Sequence, residues 1–333
     1  MPFKCSGLVR SHPRLAPLTY LHSQSRTSAM TLGNNTAAFL TEAKAHPFVV
    51  GVAPLWTPGA NEILVKNEAV ASNPVDGNLQ YMAIYPLNYP TVLGQDIAGL
   101  VAAVGPEVTR FQVGDRVVGH ATSMISGRQQ DGGFQLYKIL QTNMASHIPT
   151  SVPYEMAVVL PLGLSTAAAA LFQKACLNLQ LQLAIAAGYE VITTASPRNF
   201  DYVKKLGTSQ AFDYNSPTVS EELLTTLEPK ILAGATCVNV ALKSRGNKFV
   251  ATTKRGFPDP PEGITLQVVF RLTIRDDEIS RVIYEEFLPK ALKEGSYKTR
   301  PEPLVVSKGL KSVQAAVDLQ RAGVSAQKIA AKL

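Results

Sequence analysis

Between Thr36 and about Pro149, apolar residues fall in short Val- and Ile-rich runs with polar residues interleaved: PFVVGVAPL, NEILVKNEAVASN, TVLGQDIAGLVAAVG, VGDRVVGH and GGFQLYKIL. Turn-forming stretches such as PGAN, GPEVTRFQVGD and GRQQDGG separate them, so each run reads as a strand. Strands this close in sequence predict an antiparallel, barrel-like domain. Further on the period lengthens. Residues 154–188 read as mostly helix, EVITTA as a strand, PRNFDYVKKLG as a helix, QAFDY as a strand and TVSEELLTTL as a helix, with ATCVNVAL and NKFVATT following as strands. After Pro261 the order is strand (GITLQVVFRL), helix (DDEISRVIYEEFLPKALKEG), strand (PLVV), helix (KSVQAAVDLQRAG) and a last strand. Strands and helices alternating at this spacing imply a parallel sheet covered by helices. The predicted fold class is therefore α/β, with an N-terminal β domain.

Composition changes this picture little. The 333 residues suffice for two domains. The richest apolar stretch, AVVLPLGLSTAAAALF, is interrupted by Pro161 and Gly163 and is shorter than the roughly 18 residues a membrane span needs, so it reads as a buried core segment and no membrane is expected. Cys5, Cys176 and Cys237 lie far apart, which supports neither a disulfide framework nor a structural zinc site. The net charge of +7 is uneven: the first 29 residues hold Lys4, Arg10, Arg14 and Arg26 and no acid. The remainder is nearly balanced, with no basic stripe for nucleic acid.

That basic, Ser-rich leader has the composition of a mitochondrial transit peptide, although Pro13 and Pro17 break the helix such a peptide prefers. An upstream extension with the domain's true start at Met30 is the other reading. The closing Ala331-Lys332-Leu333 resembles a peroxisomal address, and KIAAKL reads equally as a terminal strand. The expected location is the cytoplasm.

The runs PGANEILVKNEAVASNPVDG, PTVLGQDIAGLVAAVG and VTRFQVGDRVVGH, in this order, resemble the GroES-like domain of the medium-chain dehydrogenase/reductase superfamily. LPLGLSTAAAALF and the closing PEPLVV and AVDLQRAGVSAQKI extend the likeness over nearly all of residues 36–333. The pattern is that of the zinc-independent fungal enoyl-reductase-like proteins, which include trans-acting enoyl reductases of polyketide pathways, and of quinone-oxidoreductase-like proteins. The resemblance implies a basic leader over 1–35, a GroES-like β-barrel domain over 36–155, a shortened Rossmann cofactor domain over 156–265, and a C-terminal return to the catalytic and cofactor domains over 266–333.

It also implies the chemistry. Zinc-dependent members place a Cys and a His-Glu pair where this chain has Asn73 and Gln95-Asp96. An amide is a poor ligand for zinc, so no catalytic metal is expected. Reduction of an activated C=C by NADPH needs only a hydride donor and a proton source. By resemblance Asn73, Val75 and Asp76 lie on the cofactor, and Thr166 lies near the nicotinamide, although a helical Ser or Thr more often bonds the preceding turn. Asn78 with Tyr85 or Tyr81 matches the Asn and Tyr of mitochondrial enoyl reductases, the Tyr as proton donor. Ser196, Arg198 and Asn199, after the second Rossmann strand, suit a 2′-phosphate and hence NADPH over NADH. Ser196 and Pro197 read equally as a plain helix start. Tyr214 resembles the family's adenine-stacking tyrosine and could as well be a strand-end core aromatic.

One part of the family pattern is missing. A strand and a glycine-rich phosphate loop should separate AAAALFQ from QLAIAAG, and the chain joins them through KACLNLQL, a loss of roughly 25 to 30 residues. A second shortening lies at ILAGATCVNVALKSRGNKF. Three readings follow: a faulty gene prediction, a pseudoenzyme or binding protein that no longer takes cofactor, or an active enzyme with a rebuilt loop. The expected function is zinc-independent NADPH-dependent reduction of an enoyl or quinone-type small molecule. Monomer and homodimer both stay open.

Overall fold

The computed structural model describes residues 32–172, 181–188, 190–226, 232–233, 238, 242, 249–253 and 259–333. The leader and the KACLNLQ join fall outside the described residues.

The N-terminal half folds as the strand pattern predicts. Strands β1 (Asn35–Leu40), β2 (Val49–Ala53) and β4 (Thr91–Val92) form a small antiparallel sheet in the order β2-β1-β4. Strands β3 (Glu62–Ala71), β5 (Asp96–Val104), β6 (Arg116–His120), β7 (Tyr137–Gln141) and β8 (Ala145–His147) belong to a larger one, in which β3 pairs both β5 and β7. Ile63, Val65, Ile97, Val101, Val117 and Leu140 point into one shared core. The chain end completes this sheet: β14 (Glu302–Lys308) runs parallel to β15 (Gln327–Lys332), and β15 pairs antiparallel with β3, Ala330 opposite Ala71.

Tyr154–Phe172 corrects one expectation. It spans 19 residues at a mean hydropathy of 1.7, so a segment of membrane-spanning length does exist here. It is two helices meeting at Pro161, and two-thirds of its apolar window lies inside the protein. Leu160, Leu164 and Ala167 pack with Leu272, Tyr284 and Leu288 in the same core as the barrel. A helix apolar on all sides is what burial on all sides requires.

The parallel part is divided. Among the described residues strand β9 (Ile192–Ala195) pairs only with β10 (Gln210–Asp213), and β11 (Leu232–Ala233), β12 (Phe249–Thr252) and β13 (Thr265–Val268) form a separate parallel ladder. Among the described residues no strand bridges β9 and β11, the slot of the central strand whose sequence is missing. The consequence shows in β9, where Thr194 is exposed and its neighbours half-buried, although a central parallel strand is normally buried on both faces. A small second core, Val219, Leu223, Val250 and Ile264, touches both Ile192 of β9 and Leu266 of β13. The expected strand ATCVNVAL is not seen: its described residues Val238 and Leu242 are helical, and the rest lie outside the described residues.

Gly94 shows how tightly the barrel end is built. Its φ is +92°, and an added Cβ would come within 2.5 Å of the Phe134 ring. Gly94→Ala therefore combines a disfavoured backbone with a collision in the core and should cost about 2–4 kcal/mol, read by denaturant unfolding.

Candidate functional site

Helix α1 (Pro74–Met82) begins where β3 ends. Proline at its first position suits a helix start, and the Asp76 carboxylate reaches back to accept the Asn73 N–H at 2.8 Å. Its other oxygen receives the Gly94 N–H at 3.3 Å. Asp76 is fully buried, and desolvation, with Asp96 adding to it, raises its pKa to about 7 against the bond from Asn73 and the charges of Arg271 and Lys328.

Asp96 is the centre of the site. One oxygen accepts the Leu162 N–H at 2.7 Å, and the other takes Asn73 Nδ2 at 3.0 Å and Lys328 Nζ at 2.8 Å. Lys328 also donates to Asn73 Oδ1. One buried carboxylate thus joins β5, the turn into α1, the Pro161–Phe172 helix and β15. Beside it Arg271 Nη2 donates to Gln95 Oε1 at 3.0 Å. At Asn73, Gln95 and Asp96, amides and a carboxylate hold two protein cations. Among the described residues no three His, Cys, Asp or Glu side chains cluster at metal-binding spacing.

Over this floor opens a cavity of about 410 Å³. Asn73, Val75, Asn78, Tyr85 and Thr166, five residues singled out from the sequence, all line it. Ile84, Leu162 and Val268 to Phe270 give it an apolar wall, and Arg271 is its one charged lining residue. Thr166 Oγ1 donates to Leu162 O at 2.6 Å, the turn-bonding role common for a helical threonine. The structure separates the two tyrosines. Tyr81 hydrogen-bonds Asp318 at 2.5 Å under the Arg321 guanidinium, while Tyr85 faces the cavity. Asp76 is placed differently from the sequence expectation: it caps α1 beneath the cavity and does not line it.

The second group gathers at the ends of β9 and β10. The pairing of Ala195 with Asp213 sets Ser196 beside Tyr214, each one residue beyond its strand. Asn199 Nδ2 bonds Ser196 Oγ at 3.1 Å and Ser325 Oγ at 3.2 Å. Arg198 is exposed, and Tyr214 is 58% exposed and so does not serve as a core aromatic.

Sequence reasoning missed Arg271, Lys328 and a buried chain in which His120 Nδ1 meets Ser165 Oγ at 2.8 Å and Ser165 meets Tyr284 Oη at 2.7 Å. Burial and the nearby cations Arg271, Lys138 and Lys328 keep the His120 pKa well below its usual range, so the ring is neutral. A lone arginine in the apolar run QVVFRL was the one available signal for Arg271.

The raised pKa of Asp76 carries a test. Unfolded, the carboxyl titrates near 3.8; folded, near 7. Stability held by the neutral form is complete below about pH 4 and is lost as pH rises through about 7, at up to about 1.4 kcal/mol per pH unit. Asp76→Asn cannot ionise. Measured by urea unfolding, wild-type stability should fall relative to this variant between pH 4 and 7; a constant difference would contradict the assignment.

The comparisons with known proteins agree with this geometry. Residues 59–150 match the alcohol dehydrogenase GroES-like domain. The zinc-binding alcohol dehydrogenase domain-containing protein cipB of Emericella nidulans is 59% identical over 310 residues, covering 90% of this chain and 98% of its own. The trans-enoyl reductase himH of Aspergillus japonicus is 32% identical over 330 residues, covering 89% and 96%. Among solved structures, an alcohol dehydrogenase superfamily protein from Novosphingobium aromaticivorans superposes with a TM-score of 0.75 at 25% identity, covering 90% of this chain and 99% of its own. A mycobacterial protein solved in complex with NADPH superposes at 0.70 and 20%, covering 90% and 100%. The barrel, the cavity beside its α1 turn and these relatives place the chain in the medium-chain dehydrogenase/reductase superfamily.

Proposed function

We propose that this chain is a zinc-independent reductase of activated carbon–carbon double bonds, enone or quinone in kind, with NADPH as donor. The observation that carries the reading is the cavity in which Asn78, Tyr85, Thr166 and Arg271 meet against an apolar wall. Such a pocket takes an apolar conjugated molecule and offers polar groups on one side only. The himH relative, named a trans-enoyl reductase, and the NADPH complex of the mycobacterial neighbour support the same chemistry.

The residues fit the cofactor at its two ends. Asn73, Val75, Leu162 and Thr166 would hold the nicotinamide, and Ser196, Arg198 and Asn199 the adenosine phosphate beside the Tyr214 ring. Between them the chain has no glycine from Leu164 to Ala187, so the glycine-rich sequence by which the family approaches the pyrophosphate is missing. Binding through the ends alone implies an affinity weaker than the family's by several charge-assisted hydrogen bonds. When bound, the cofactor supplies hydride. The protein's part is to exclude water with Ile84, Val268 and Phe270, to orient the substrate with Asn78, and to offer the Tyr85 phenol as proton donor at the cavity.

A second reading, a binding protein without catalysis, is favoured by the divided sheet and the missing glycines.

Two measurements test the reading. Arg198→Ala should weaken NADPH at least tenfold while changing NADH less than twofold, because only the former carries the 2′-phosphate; equal losses would remove Arg198 from that role. Enone reduction should keep its rate after exhaustive dialysis against 1,10-phenanthroline. A rate lost with the chelator and restored by zinc would overturn zinc independence.

A further inference from the structure

Arg271 is a cation whose surroundings leave it incomplete. It follows β13 at the start of a short turn and lines the cavity with Asn78, Tyr85 and Thr166. Its Nη2 is engaged by Gln95 Oε1 at 3.0 Å and lies 3.3 Å from Met124 Sδ. Its Nε is shut off from solvent and has no hydrogen-bond partner. Among the described residues no carboxylate stands within ion-pair distance of it. The two nearby acids are already committed: Asp96 to Lys328, Asn73 and the Leu162 N–H, and Asp76 to the Asn73 and Gly94 N–H groups.

A guanidinium stays charged in proteins and presents five N–H donors in a planar fork. Removing it from water with donors unused is costly unless something completes the set. The rest of the wall, Ile84, Leu162, Val268 and Phe270, is apolar. The complementary ligand is an apolar, planar molecule with one electron-rich oxygen at its end.

We propose that Arg271 is the substrate-orienting residue of the cavity, its guanidinium receiving the oxygen conjugated to the reducible double bond. This rests on the reductase reading above and narrows its substrate class to molecules with an accepting oxygen conjugated to the double bond: carboxylates, enones and quinones with an unhindered carbonyl. Orientation by the oxygen fixes the position of the double bond relative to Tyr85 and Thr166. With hydride from a bound nicotinamide added at the β-carbon, the C=C π pair would move onto that oxygen as an enolate, whose negative charge the same contact would meet, and a proton at the α-carbon would then restore the carbonyl.

The test needs no cofactor, so it can fail separately from the reductase reading. Ligand-observed NMR titration of the full chain with trans-cinnamate and with methyl cinnamate compares a carboxylate with its neutral ester on one scaffold. Wild type should bind the carboxylate roughly ten- to hundredfold more tightly than the ester. Arg271→Gln should abolish that preference by weakening the carboxylate roughly tenfold or more beyond its effect on the ester, and Arg271→Lys should keep part of it, as a point charge without the fork. Equal affinity of wild type for both probes, binding of neither, or an unchanged preference in Arg271→Gln would overturn the proposal. Absence of the carboxylate preference in wild type overturns the proposal even if the variants do not fold. A carboxylate preference together with no enone turnover on NADPH would instead overturn the reductase reading and leave the Arg271 site standing.

Discussion

The Asp96 carboxylate has no exposed surface and cannot be buried as a charge without partners. Asp96 itself starts β5, and its partners come from three other places in the chain: Asn73 before α1, the Leu162 N–H at the head of the apolar helix, and Lys328 on the last strand. This one requirement brings the C-terminus back onto the barrel, seats the apolar helix against it, and fixes the α1 turn. The cavity is the space left between those elements, so its shape follows from the clamp beneath it. Loss of either charge would leave the other buried and alone, the case in which an internal ion pair matters most to stability.

Where periodicity is strong and the partner is local, the sequence was a good guide. The barrel strands announced themselves by alternation, whereas the helix that opens at Pro74 was not foreseen, its Asn73-Pro74-Val75-Asp76 start being read as part of the family's cofactor turn. Thr166, Asn78 and Tyr85 were found through resemblance, since nothing in their local pattern separates a cavity residue from a surface one. Asp76 was misplaced because a capping carboxylate and a ligand-facing one look alike in sequence, and only burial tells them apart. Arg271 and Lys328 were missed for a different reason. Their roles depend on contacts with residues 176 and 255 positions away, which no local pattern encodes.

The divided sheet was legible as an absence. A missing strand and glycine loop in the sequence correspond to two parallel ladders with the half-exposed β9 at the break. The retained parts are not random. The residues proposed to hold the two ends of the cofactor are present, some at the cavity and some at the β9 end, and the barrel keeps its Asp96 clamp. Under the proposed function, the shortened centre would cost cofactor affinity while the cavity keeps its polar side over the buried ionic floor.

The central claim is that the two surviving ends still hold NADPH. Titration of the purified full chain with NADPH, followed by nicotinamide fluorescence, tests it most directly. The account predicts saturable binding with a dissociation constant of roughly hundreds of micromolar and a clear preference over NADH. No saturation up to several millimolar, or equal binding of both nucleotides, would contradict it.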